Sequence, residues 1–90
     1  MAAVHLRIVG QVQGVGFRWF ARVNARRLQL AGWVMNRPDG SVEVAASGRD
    51  EKLEEFRKLV SRGPDGAIVS DVIELEAAEG ELEFPFAMRR

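Results

Sequence analysis

From Val4 to Val9 the chain alternates, with Val4, Leu6 and Ile8 on one side and His5 and Arg7 on the other. That period of two predicts a half-buried strand ending at Gly10. Phe17, Ala21, Ala25 and Leu28 then recur at helical spacing, which predicts a helix from Phe17 to about Leu30, closed by Gly32. Trp33 to Asn36 reads as a short strand, and Arg37-Pro38-Asp39-Gly40 as a tight turn favoured by its Asp-Gly pair. Val42, Val44 and Ala46 alternate as the return strand. Asp50 and Glu51 suit the start of a second helix, which buries Leu53, Phe56, Leu59 and Val60 and stops at Gly63-Pro64. Ile68 to Leu75 is a β-branched strand, and Leu82 to Met88 a weaker extended tail whose Pro85 suits a sheet edge.

The resulting order is βαββαβ plus a tail strand. Right-handed crossovers joined by a central hairpin give an α+β, ferredoxin-like sandwich: a four-stranded antiparallel sheet, two helices on one face and a short extra C-terminal strand. With 90 residues, 47% of them apolar, residues 1–90 are expected to form a single domain around one modest core. No apolar run approaches the roughly 20 residues that span a bilayer, and the first residues lack the pattern of a signal peptide. A soluble, cytoplasmic protein is therefore expected.

Composition narrows the chemistry. The chain has no cysteine and one histidine, His5, which removes thiolate nucleophiles, disulfides and histidine-rich metal centres. Thirteen basic residues balance thirteen acidic ones, so no net field draws the chain to nucleic acid or an anionic membrane.

A local anion site is a different matter. Gly10-Gln11-Val12-Gln13-Gly14-Val15-Gly16-Phe17-Arg18 joins the first strand to the first helix, and its glycines allow successive amides to turn inward. The helix start adds N–H groups and the positive end of its dipole, and Arg18 adds a guanidinium fork, a combination suited to phosphate. The dinucleotide fingerprint fails because Trp19 occupies the position of its third glycine, and the nucleotide P-loop fails for want of its Gly-Lys-Ser/Thr ending. Spacing alone leaves an ordinary glycine turn open as the other reading.

Two longer motifs bear on that choice. Gly10-x-Val12-Gln13-Gly14-Val15-Gly16-Phe17-Arg18 and Gly32-Trp33-Val34-x-Asn36-x-x-Asp39-Gly40-Ser41-Val42-Glu43 strongly resemble the acylphosphatase family, small bacterial type, and the resemblance covers nearly the whole chain. It implies an acylphosphate phosphohydrolase: an enzyme that cleaves the carboxyl–phosphate bond by direct attack of water, without metal or other cofactor. It further implies Arg18 as catalytic arginine, Asn36 as the residue that orients water, and a backbone phosphate cradle of Gln13, Gly14, Val15, Gly16, Phe17 and Arg18. The implied partners are an acyl phosphate and phosphate, with no nucleic acid or membrane, and a monomer is expected. Three departures stand out: Ala21 where many members carry a hydroxyl residue, Arg37 where some carry threonine, and Arg90 in place of a frequent tyrosine.

The residue types suit that chemistry. An acyl phosphate expels a carboxylate whose conjugate acid has a pKa near ~4, so no general acid is needed, whereas an alkoxide leaving group would require one or a metal. Asn36 is not basic; without the resemblance it reads as a residue ending a strand before a hairpin. Asp39 reads as a turn residue, His5 as solvated, and Trp19 with Val23 as packing against the C-terminal tail, with a small exposed apolar patch as the alternative. Arg26-Arg27 and Arg89-Arg90 read as solvated faces, as does the Glu54-Glu55, Arg57-Lys58 cluster. The alternative function is a noncatalytic module that binds phosphate or carbamoyl phosphate; an RNA-binding sheet would need exposed aromatics that the central strands lack.

Overall fold

Alternation and helical spacing become seven elements in the computed structural model, which describes residues 2–78, 80 and 82–90. They are β1 (Ala2–Gln11), α1 (Phe17–Arg27), β2 (Ala31–Asn36), β3 (Val42–Gly48), α2 (Asp50–Arg62), β4 (Ile68–Glu74) and β5 (Ala87–Arg89). The strands form one sheet in the order β4-β1-β3-β2-β5. Every neighbouring pair is antiparallel except β2 and β5, which run parallel, so the expected four-stranded α+β sheet carries its extra strand on the β2 edge. Among the described residues, no helix is long and apolar enough to cross a membrane.

Register explains the core. Leu6 pairs with Val44, Ile8 with Val42, and Val34 with Val44, which puts these five fully buried side chains on one face. Against that face α1 presents Phe17, Ala21 and Ala25, and α2 presents Leu53, Phe56 and Val60. The ring of Phe86 lies edge-on to Phe56 at 5.8 Å and is fully buried, so it anchors the segment leading into β5. Burying a phenylalanine of this kind contributes about 3 kcal/mol at the upper end of area-based estimates.

Several boundaries differ from the sequence expectation. Helix α1 ends at Arg27, three residues before the expected Leu30, and the terminator is Gln29 rather than Gly32. Gln29 takes φ +59°, its N–H donates to the Arg26 carbonyl at 3.1 Å, and the N–H of Leu30 donates to Ala25 at 2.9 Å. These paired bonds form a Schellman cap with glutamine at the position glycine normally fills. Gly32 instead lies within β2, where a Cβ would fall 1.9 Å from the Ala45 carbonyl oxygen; it permits close strand approach. Likewise β1 continues past Gly10 to Gln11, paired with β4, and glycine permits it: a Cβ at Gly10 would lie 2.1 Å from the Ile68 carbonyl oxygen. The expected extended tail from Leu82 contracts to a strand of three residues.

This topology assembles one end of the molecule. Strands β1 and β2 both pair antiparallel with β3, and β5 is parallel to β2, so β1, β2 and β5 all finish at the same end of the sheet. The loop after β1 and the N-terminus of α1 lie at that end too.

Candidate active site

Val12, fully buried, pins the start of the loop into the core, and Val15 packs against the core further on. Between and after them Gly14 and Gly16 take φ +76° and +77°, torsions that side-chain-bearing residues adopt only with strain. A Cβ at either position would meet nothing within 4 Å. Torsion rather than crowding therefore requires glycine here, and open space lies beside the backbone. Gly16 is also the N-cap of α1, with no side-chain cap and no acidic residue in the first turn. Its first-turn amides are thus available to an anion, reinforced by the helix dipole.

Arg18 follows on the first turn, half-buried, and its Nη1 donates to the backbone carbonyl of Arg89 at 3.0 Å. The end of β5 thereby fixes the guanidinium while leaving further N–H donors of the five for a ligand. Asn36 ends β2 and pairs with Val42, in line with Ile8 across β3, on the face shared with Val34. Among the described residues its side chain makes no hydrogen bond, so its amide is available to a ligand or water. A cleft of about 250 Å³ is lined by Val12, Gly14, Gly16, Phe17, Arg18, Trp19, Asn36 and Met88. It brings Arg18 and Asn36, 18 residues apart in sequence (36 − 18), to one space with the glycine loop.

Of the expected cradle, Gly14, Gly16, Phe17 and Arg18 line this cleft, while Gln13 and Val15 do not. The Gln13 side chain reaches the β2–β3 hairpin instead, where its Nε2 donates to the carbonyls of Arg37 at 2.8 Å and Ser41 at 2.9 Å. Arg37 turns its guanidinium to Glu43 at 2.8 Å, and the other carboxylate oxygen of Glu43 meets His5 Nε2. His5 Nδ1 lies 2.6 Å from the Glu76 carbonyl, so both ring nitrogens have partners and the expectation of a solvated histidine is corrected.

Asp39 does close the turn. Its Oδ1 accepts from the Ser41 hydroxyl and from the Ser41 N–H at 2.9 Å, and these bonds, hydroxyl first, hold its carboxyl below the ordinary value of 3.8. An exposed carboxylate so engaged is poorly suited to act as a base.

Other expectations are revised. Trp19 is 59% exposed and Val23 41%, so the expected packing against the tail does not cover them and they form the exposed apolar alternative. Arg26 donates from Nε to the Phe86 carbonyl at 2.9 Å, and Arg89 stacks 4.8 Å from the Trp33 ring, so neither is simply solvated. The sequence pattern carried no signal for Met88 in the cleft or for the Arg89 carbonyl, because both enter through the parallel pairing of β5. Among the described residues no three His, Asp or Glu side chains come together to hold a metal ion.

Comparison with known proteins agrees over most of the chain. The acylphosphatase family model matches residues 4–87. An acylphosphatase of Acidiphilium cryptum is 49% identical over 74 residues, covering 82% of this chain and 81% of its own. One of Caldivirga maquilingensis is 46% identical over 86 residues, covering 92% and 90%. The crystal structure of acylphosphatase from Bacillus subtilis superposes with a TM-score of 0.85 at 38% identity, covering all of both chains.

Proposed function

This chain belongs to the acylphosphatase family, an enzyme family that hydrolyses acyl phosphates to phosphate, and from that premise we propose how its own residues perform the reaction. Backbone amides from Gln13 to Arg18 receive the phosphoryl oxygens, Arg18 neutralises their charge, and Asn36 orients the attacking water. The observation that carries this reading is the single cleft shared by Gly14, Gly16, Arg18 and Asn36 at the open N-terminus of α1.

Charge at a transferring phosphoryl group is spread over its equatorial oxygens, so fixed donors aimed at them stabilise the transition state without covalent chemistry. The tie from Arg18 to the Arg89 carbonyl means that little ordering of the guanidinium is left to occur on binding. Asn36 accepts a hydrogen bond from water through its amide oxygen and so directs a water lone pair at phosphorus. As the new O–P bond forms, the phosphorus–acyl oxygen bond breaks with its electron pair, releasing a carboxylate. In a loose transition state the water gives up its proton late, to phosphate oxygens and solvent, so Asn36 need not be a base.

Hydrolysis of benzoyl phosphate, without added metal, tests the assignment. Folded Arg18→Ala should lose at least about 10²-fold in turnover, the scale of one preorganised charge-stabilising donor. Near-normal hydrolysis would refute it. Phosphate binding by the wild-type chain without turnover would instead support a noncatalytic module for phosphate or carbamoyl phosphate. The reading extends to a monomer acting in the cytoplasm on small molecules, with no nucleic-acid or membrane partner, which sedimentation and cell fractionation test; the balance of charge supports the absence of a nucleic-acid or membrane partner.

A further inference from the structure

The Gln13 side chain is spent in an unusual way. It belongs to the loop that precedes Gly14, yet both hydrogens of its Nε2 go to the first and last residues of the β2–β3 turn: the Arg37 carbonyl at 2.8 Å and the Ser41 carbonyl at 2.9 Å. Those carbonyls already have partners. Arg37 O accepts from the Gly40 N–H at 3.1 Å, and Ser41 O accepts from the Arg37 N–H at 2.8 Å. Each carbonyl has two lone pairs, so Gln13 takes the second on each, and the hairpin neck stays closed without it. Its bonds add nothing that the turn requires.

What they do is join the turn to the loop. Asn36 and Val42 are the last β2–β3 pair before that neck, so the carbonyls gripped by Gln13 lie one residue beyond Asn36 and its partner. The β1–β3 ladder ends at Ile8 and Val42, so the loop, although β1 stays paired with β4 through Gln11, has no strand pairing to the hairpin side. On the other side of the neck, Arg37 is held by Glu43 and Glu43 by His5, which steadies the hairpin against the sheet. Gln13 is the cross-brace from the loop to this steadied hairpin.

We infer that the Gln13 side chain is a positioning residue that sets the distance between the phosphate cradle and the water held by Asn36. The inference rests on the assignment of Asn36 above. Cradle amides belong to the backbone, so removing the side chain leaves phosphate affinity intact while letting the water-orienting wall drift. A displacement of about 1 Å between reacting groups costs on the order of 10²-fold in rate, so a partial drift should lower kcat by roughly 10-fold to 10²-fold.

The test uses Gln13→Ala and Gln13→Met, the second keeping side-chain length without donors, alone and combined with Asn36→Ala. Benzoyl phosphate turnover and inhibition by inorganic phosphate are measured after circular dichroism confirms folding, which an exposed side chain should not determine. Both single variants are expected to lose kcat with little change in phosphate inhibition, and neither should lower turnover further once Asn36→Ala is present. Unchanged kcat, a parallel loss of phosphate affinity, or losses that multiply in the double variants would overturn the inference. Full turnover by Asn36→Ala would overturn it together with the assignment of Asn36; an inactive Asn36→Ala beside fully active Gln13 variants would overturn the brace alone.

Discussion

Adding one methyl group at Gly16 separates the backbone's structural role from its role toward an anion. Gly16 has φ +77°, and a Cβ there would meet nothing within 4 Å, so Gly16→Ala introduces torsional strain without a clash. An L-residue in the left-handed region costs roughly 1–2 kcal/mol. The reduced freedom of the unfolded chain offsets about 0.4–1 kcal/mol of that. The net destabilisation should be near 1 kcal/mol, or about 4–8 °C in Tm for a domain of this size.

Gly66 provides a matched control: its φ is +91°, a Cβ there also meets nothing within 4 Å, and it does not line the cleft. Gly66→Ala should lose comparable stability. The two should differ in function, because relaxing Gly16 toward negative φ turns the amides at the start of α1 away from the cleft. Full loss of one preorganised donor corresponds to about 10²–10³-fold in turnover. The assays are urea denaturation, benzoyl phosphate turnover and inhibition by phosphate. If Gly16→Ala and Gly66→Ala lose equal stability and both keep wild-type phosphate inhibition, the loop amides are not the cradle.

Four further outcomes are expected. Gln29→Gly should stabilise the protein by about 0.5–1 kcal/mol in denaturant titrations, since it removes left-handed strain of roughly 1–2 kcal/mol against a glycine entropy cost of about 0.5–1 kcal/mol; destabilisation would contradict the cap. Asp39, held below 3.8 chiefly by the Ser41 hydroxyl, favours the folded state when ionised. Its contribution is therefore complete above the unfolded pKa and fades as pH falls through the lower folded value, so the stability gap between wild type and Asp39→Ala should close in acid and be constant near neutrality. A carboxyl resonance for Asp39 titrating above 3.8 would count against that direction. Trp19, being 59% exposed, should tolerate alanine with a stability change within about 0.5 kcal/mol; a larger loss would show packing that the exposure does not reveal. Finally, Phe86→Ala should cost about 3–5 kcal/mol in denaturant titrations, because the ring is fully buried against Phe56, and a cost below about 1 kcal/mol would contradict its anchoring of β5.

Much of this architecture was legible because burial imposes its periods on the sequence. Val4, Leu6 and Ile8, or Leu53, Phe56 and Val60, could be placed before any contact was known, since one face of each element must meet a core. The end of α1 was misplaced because Gln29 fills the left-handed position where glycine is the usual signal, while the nearby Gly32 serves a close strand contact. At Gly14, Gly16 and Arg18 the residue types suited an anion loop, but spacing alone also fitted an ordinary glycine turn, and the resemblance made the choice. Asn36 needed the resemblance, since an asparagine before a hairpin has an ordinary structural use. The bond from Arg18 to the Arg89 carbonyl, the reach of Gln13 to the hairpin and the pairing of His5 with Glu43 were not legible. Each depends on which strands lie side by side, and periodicity does not encode that.

The division of labour between phosphoryl binding and water orientation is tested most directly by measuring kcat and phosphate inhibition together for Asn36→Ala. Turnover should fall by about 10²-fold or more while phosphate inhibits as in the wild type, because the affected group positions only the nucleophile. Parallel loss of both, or turnover near the wild-type rate, would contradict the account.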